Sequence, residues 1–270
     1  MAAAPLMLVG AGRMGTALLS GWSQQGVAGP HTIVIEPTPS DDLKTFCAGN
    51  GIALNPPAPP GEAGILVLAV KPQMLDAVAP RVAPHVGPQT LLLSILAGKS
   101  IGDIEARFPR AQAIVRAMPN TPAAIGRGIS GLVASAATTS AQRDVAGRLL
   151  EAVGETVWVP NEGLMDAVTA VSGSGPAYLF LFAEALAEAA RAAGLPDDLA
   201  ARLARATVTG SAALLSQSPR ADPASLRRDV TSPGGTTAAA LAVLMAEDGL
   251  GPLLERAVAA AVARGRELAG

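Results

Sequence analysis

Cysteine, histidine and lysine are nearly missing from this 270-residue chain, and each shortage excludes something. The lone cysteine, Cys47, cannot close an internal disulfide, which fits a reducing compartment. The two histidines, His31 and His85, and the three lysines, Lys44, Lys71 and Lys99, all stand in the first 100 residues. The C-terminal part therefore excludes a His/Cys metal site and lacks the bases that alcohol oxidation usually recruits. Aromatics make up 3%, so the core must be built from Ala, Val, Leu and Ile. Charged residues are 16%, against about 25% in typical soluble domains, which points to surface hidden in an oligomer. A formal net charge of −2 offers no basic surplus for nucleic acid. The apolar runs, such as Ile65 to Val70, fall far short of the ~20 residues a membrane span needs. Met1 to Val9 is apolar, carries no preceding basic residue and runs into a glycine-rich turn, so a signal peptide is not expected. The expected location is the cytoplasm.

Half of the residues are hydrophobic, which is ample for a core and rules out disorder. Short apolar runs at Leu6 to Val9, Thr32 to Ile35, Gly64 to Val70, Thr90 to Ile95 and Ala113 to Ala117 read as strands buried on both faces of a parallel sheet. Helical stretches lie between them at Met14 to Gln25, Ser40 to Asn50, Gln73 to Ala83 and Ile101 to Phe108. Gly131 to Ala134 and Glu155 to Val159 extend the sheet around a helix at Ala141 to Ala152. This alternation predicts an α/β, Rossmann-like, doubly wound parallel sheet over residues 1–160. The Pro-rich run from Asn55 to Pro60 reads as a surface loop.

Beyond Pro160 no β-rich run recurs and alanine dominates, so residues 161–270 read as a smaller all-α domain. Helices are expected at Met165 to Val171, Ala177 to Ala193, Leu199 to Leu215, Thr236 to Glu247 and Leu253 to Leu268, with Gly194 and Gly249 as C-caps. In Ala177 to Ala193 the only charges, Glu184, Glu188 and Arg191, share one stripe. A helix apolar around the rest of its circumference is best buried by a second subunit, with Ala185 and Ala189 among the close contacts. At least a homodimer is expected.

Gly10-Ala11-Gly12-Arg13-Met14-Gly15 is G-x-G-x-x-G between an expected strand and helix, with Glu36 at the end of the next strand. Gly10 permits the turn, Gly12 lets backbone approach a pyrophosphate, and Gly15 lets helix and strand pack closely. Unpaired N–H groups and the helix dipole, around Arg13 and Met14, would hold the pyrophosphate. Glu36 either accepts from an adenosine ribose 2′-OH or is a solvated turn residue. Arg13 could instead reach a 2′-phosphate. The loops Ala69-Val70-Lys71-Pro72, Ala97-Gly98-Lys99 and Arg116 to Pro122 fall at strand ends, where such sheets bind ligands. Lys71 and Asn120 each read equally as a cofactor contact or as an ordinary loop residue.

The helical part carries two hydroxyl-rich turns, Ser172 to Tyr178 and Asp229 to Thr237. The second combines free N–H groups, a favourable dipole end and several hydroxyls, and a small carboxylate would fit it. The alternative is a plain helix N-cap. Without a base, reduction of a C=N bond suits the chain best, because a protonated iminium is already electrophilic and a hydroxyl or water can handle the single proton.

These residues together resemble the pyrroline-5-carboxylate reductase family, which makes proline in the last step of its biosynthesis. The resemblance rests on Gly10 to Gly15, Val70-Lys71-Pro72, Arg116 to Pro122, Ser172 to Tyr178 and above all Asp229 to Thr237. It implies reduction of 1-pyrroline-5-carboxylate with NADPH or NADH, a substrate carboxylate held by Ser232, Gly234, Gly235, Thr236 and Thr237, and Thr237 as the catalytic contact to the ring nitrogen. It also implies that Lys71 and Asn120 meet the nicotinamide end, and that helical domains intertwine into dimers that can assemble into decamers. No metal and no membrane enter. The family tends to prefer NADPH; Glu36 leans toward NADH, so use of both is expected. A β-hydroxyacid dehydrogenase would need a lysine in the helical part, which is absent. An NAD(P)-binding redox sensor would leave the hydroxyl cluster without a purpose.

Overall fold

The computed structural model describes residues 5–57, 61–218 and 222–269. Met1 to Ala4 and the Ala58 to Pro60 part of the expected loop lie outside the described residues. Contacts divide the chain into one unit of Met1–Gly173 with Ala261–Gly270, and another of Ser174–Ala260. The packing boundary thus falls C-terminal to the change of texture at Pro160.

The first unit holds eight strands: β1 (Leu6–Val9), β2 (Thr32–Ile35), β3 (Ala53–Leu54), β4 (Ile65–Leu68), β5 (Leu91–Ser94), β6 (Ala113–Met118), β7 (Gly128–Ala134) and β8 (Gly154–Trp158). They form one sheet in the order β3-β2-β1-β4-β5-β6-β7-β8. The first six are parallel, with Val9 level with Ile35 on one side and Leu68 on the other. The expected parallel sheet is there, with one reversal that the apolar runs do not announce: β7 runs antiparallel to β6. The link from Pro119 to Arg127 is too short for the dozen or so residues a parallel crossover needs, so the chain turns back. A full helical crossover then returns β8 parallel to β7.

Helices α1 (Arg13–Gln24), α2 (Asp41–Gly49), α3 (Leu75–Val82), α4 (Ile101–Arg107) and α5 (Ser140–Glu151) cover the two faces, and a short α6 (Met165–Val168) follows. Their starts are written in side chains: Ser40 caps α2, and Ser100 with Asp103 and Thr139 with Gln142 form capping boxes on α4 and α5. Neighbouring strand residues point to opposite faces. Leu8, Val67, Leu93 and Val115 therefore pack with Leu18, Trp22 and Leu150, while Met7, Leu66, Leu92 and Ile114 pack with Leu75 and Ile104. The buried Trp22 indole donates to the Leu149 carbonyl at 2.7 Å and ties α1 to α5.

The second unit is helical: α7 (Gly175–Ala192), α8 (Asp197–Gln217), α9 (Pro223–Asp229), α10 (Thr236–Leu244) and the start of α11 (Leu250–Ala269), whose last turns count with the first unit. Here α9 is new; Asp222 as N-cap and Pro223 in the first turn announce it. Among its described residues only Ala187, Ala200 and Ala204 are buried apolar side chains. Large apolar groups stand open instead, with Phe180 71% and Val243 72% exposed. No helix among the described residues is long and apolar enough to cross a membrane.

Candidate active site

Three neighbouring segments at the carboxyl ends of β1, β2 and β4 make a cradle. Gly10 has φ +92°, and a Cβ there would lie 2.7 Å from the Val70 amide nitrogen, so only glycine lets the two loops touch. A Cβ on Gly15 would collide with the Gly10 carbonyl oxygen. Around Gly12 nothing lies within 4 Å of where a side chain would begin. Gly12 also caps α1 without any side-chain hydrogen bond, and the first turn holds no acidic residue. The N–H groups of Arg13 and Met14 are therefore left to an external anion at the positive end of the helix. This open, amide-lined space fits a dinucleotide pyrophosphate.

Glu36 closes one side of the cradle. One carboxylate oxygen accepts from the Ala11 N–H at 2.9 Å, and the other accepts from the Thr38 N–H at 3.1 Å and its hydroxyl at 3.3 Å. Its backbone is held as well. The Glu36 N–H donates to the Asn55 side-chain oxygen at 2.9 Å, and the Asn55 amide donates to the Glu36 carbonyl at 2.7 Å. The side chain thus bridges the exposed turn at 36–38 and the Ala11 N–H of the glycine loop. Asn55 was missed as a site residue. Its signals were an Asn-Pro turn and a residue type that tolerates left-handed backbone, here φ 48°.

The remaining strand-end residues divide. Lys71 is exposed and begins a single turn of 3-10 helix at Pro72–Met74, with Val70 against the glycine loop. Asn120 is buried, and both ends of its amide are engaged inside the fold: Oδ1 accepts from the Ile129 N–H at 2.9 Å and Nδ2 donates to the Ser172 carbonyl at 3.1 Å. Burial pushes the Cys47 thiol up from its ordinary range, which disfavours the thiolate a nucleophile needs. The carboxylates held below their ordinary range are elsewhere. Asp76 is lowered by its hydrogen bond with Arg107. At Asp103 burial raises the value, but the Ser100 hydrogen bonds and nearby cations outweigh it. No group of three or more His, Cys, Asp or Glu among the described residues could hold a metal.

In the helical unit, Ser232 to Thr237 forms a tight turn. The Gly235 N–H donates to the Ser232 carbonyl at 3.1 Å, and Gly234 takes φ +71°. A Cβ on Gly235 would lie 2.5 Å from the Ser232 hydroxyl, so the pair of glycines keeps the turn narrow. Gly235 is the N-cap of α10, and no side chain caps that helix. Its first N–H groups, at Thr236 and Thr237, are therefore open to an anion, and neither threonine hydroxyl is spent on a cap. The turn leans on a short rigid base, where the Thr231 hydroxyl donates to the Arg227 carbonyl at 2.6 Å.

A family model described as pyrroline-5-carboxylate reductase dimerisation matches residues 162–268, and one described as NADP oxidoreductase, coenzyme F420-dependent, matches residues 5–98. The chain is 41% identical over 267 residues to the pyrroline-5-carboxylate reductase of Pseudomonas aeruginosa, covering 98% of this chain and 96% of that one. The chain belongs to the pyrroline-5-carboxylate reductase family. The reductase of Haemophilus influenzae is 38% identical over 265 residues, covering 97% of each chain. Among solved structures, that of a pyrroline-5-carboxylate reductase from Coxiella burnetii matches with a TM-score of 0.89 at 34% identity, covering 98% of both chains. A Plasmodium falciparum pyrroline carboxylate reductase, solved with NADP bound, matches with a TM-score of 0.78 at 26% identity, covering 99% of this chain and 98% of that one. Family membership supports a nicotinamide cofactor, and the matched dimerisation region supports oligomer formation.

Proposed function

We propose that this chain reduces 1-pyrroline-5-carboxylate to L-proline with NAD(P)H, the last step of proline biosynthesis. The observation that carries this reading is the uncapped, doubly glycined turn Ser232–Thr237 in a chain 41% identical to a named reductase. Bound NAD(P)H supplies the hydride, which goes to the carbon of the protonated C=N bond. The chain's own residues hold the reactants. Gly10, Gly12, Arg13, Met14 and Gly15 hold the pyrophosphate, with Val70, Lys71 and Pro72 toward the nicotinamide; Asn120, expected beside Lys71, has both ends of its amide engaged within the fold. Ser232, Gly234, Gly235 and Thr236 hold the carboxylate by hydroxyl and amide donors. Thr237 sets its hydroxyl at the ring nitrogen and donates to the lone pair that nitrogen gains as the C=N electrons shift onto it. No general base is required, which suits a chain with no lysine beyond Lys99 and no histidine beyond His85.

Both cofactors serve, and Glu36 tilts the balance toward NADH. Its carboxylate stands where the adenosine ribose is read, and moving it outward for a 2′-phosphate breaks three hydrogen bonds. Arg13 is the cation available to receive that phosphate. The assembly is a homodimer through the helical unit, with a decamer as the larger form, and it works in the cytoplasm, where Cys47 stays reduced.

Adding pyrroline-5-carboxylate with NADH or NADPH and following the nicotinamide absorbance tests the reading, with proline identified as product. No oxidation of either cofactor would favour the redox-sensor reading.

A further inference from the structure

Between α6 and α7 the chain widens into a π-turn, Thr169–Gly173, the last segment of the first unit before Ser174. Such turns are rare and concentrate at functional sites. Its last turn leaves one carbonyl without a helical partner, for a reason visible in the sequence. Continuing as an α-helix, the Ser172 carbonyl would accept from the residue four positions on, but that residue is Pro176, which has no N–H. The Ala177 N–H is bonded to Ser174 instead, at 2.9 Å. The half-buried Ser172 carbonyl is satisfied by the Asn120 side chain, whose Nδ2 donates at 3.1 Å. The opposite end of the same amide accepts from the Ile129 N–H at the start of β7. Gly173 lies against the same stretch, since a Cβ there would be 2.8 Å from Met118 Cε. One buried amide therefore joins the strand-end loop after β6, the reversed strand β7 and the π-turn.

We infer that Asn120 is a positioning residue that works through the Ser172 carbonyl, and that its side chain does not contact the cofactor. The loop it stabilises ends a strand on the ligand-binding side of the sheet, and the turn it stabilises leads the chain into the helical unit. Hydride transfer tolerates little error in the distance between donor and acceptor, and a misplacement of about 1 Å can cost a hundredfold. Slack at this amide should therefore appear in turnover and leave cofactor affinity alone. This inference rests on the reductase reading for its kinetic readout only.

The test compares Asn120→Ala and Asn120→Asp with the unaltered protein. Asn120→Asp, measured at a pH where its carboxyl is ionised, keeps an acceptor for Ile129 and replaces the donor to Ser172 with a negatively charged oxygen, so it stays informative if the alanine variant fails to fold. Expected are a Kd for NADH and NADPH, from fluorescence titration without substrate, within about twofold of the parent, and a kcat lowered about tenfold or more. Faster amide exchange in the 169–176 segment should accompany the loss, and it can be read even if the parent turns over no pyrroline-5-carboxylate, which would sink the functional reading separately. A Kd that rises in step with the lost turnover would overturn the inference in favour of direct cofactor contact. Unchanged kcat in folded Asn120→Asp, or unchanged exchange, would overturn it as well.

Discussion

Replacing Glu36 separates two effects that one carboxylate combines. Its Oε2 is fixed 2.9 Å from the Ala11 N–H, so a 2′-phosphate entering beside it would meet a negative charge that cannot simply swing away. For charges about 5 Å apart at an effective dielectric near 20, the repulsion is about 3 kcal/mol. Glu36 is half-buried, so solvent screening cuts this to roughly 1.5–3 kcal/mol. At about 1.4 kcal/mol per factor of ten, Glu36→Thr should raise kcat/KM for NADPH relative to NADH by roughly tenfold to a hundredfold. Glu36→Gln is the sharper probe, because it keeps an oxygen for Ala11 and removes the charge, at the cost of the acceptor for the Thr38 N–H. The assay is initial-rate kinetics with each cofactor at saturating pyrroline-5-carboxylate, repeated at low and high salt. Because the effect is electrostatic, the parent's discrimination should shrink as salt rises, while that of Glu36→Gln should hardly respond. A cofactor ratio unchanged within twofold in both variants would refute the reasoning and move the choice to Arg13 and the turn at 38–40.

Thr237→Ala should lower kcat far more than it weakens cofactor binding, since the hydroxyl acts only where nitrogen gains its lone pair; full turnover would end its catalytic role. Ala189, like Ala185, is exposed on the protomer, and Ala189→Glu should place a charge in the subunit contact at a cost of several kcal/mol unless paired. Sedimentation should then show monomer or unfolded protein, and a soluble, active dimer would show that this face is not the contact. Asp103 accepts from the Ser100 N–H and hydroxyl and has a lowered folded pKa, so its contribution is present above about pH 3.9 and fades as pH falls through the folded value. Asp103→Ala should therefore cost about 1 kcal/mol at neutral pH and progressively less as the pH falls through the folded value, as read by thermal melts.

What the sequence disclosed and what it hid follow from how local each signal is. Buried parallel strands are continuous apolar runs, so Leu6 to Val9 and Leu91 to Ser94 were legible without any partner. The glycine loop was legible because each of its glycines answers a separate steric demand. The reversal at β7 was not, since strand direction depends on the length of a connection, and the apolar runs do not say where β6 ends and β7 begins. Two-residue β3 has no period to detect. Asn120 shows the harder limit. The polar residue was noticed, but its partners, Ile129 and Ser172, are set by tertiary packing, and its task follows from a missing N–H at Pro176 far along the chain. The turn from Ser232 to Thr237 was legible because it carries its amides, glycines and hydroxyls within six consecutive residues.

The near absence of buried apolar side chains among the described residues of the helical unit, Ala187, Ala200 and Ala204 alone being covered there, makes its stability a matter of concentration. A unit whose apolar faces are covered by a second copy has no folding free energy of its own to quote. Its melting temperature should rise with protein concentration, as mass action requires when folding and association are one equilibrium. Dilution would then inactivate the enzyme before heat did, and the dinucleotide unit, with its own two-faced core, would outlast the unit it serves.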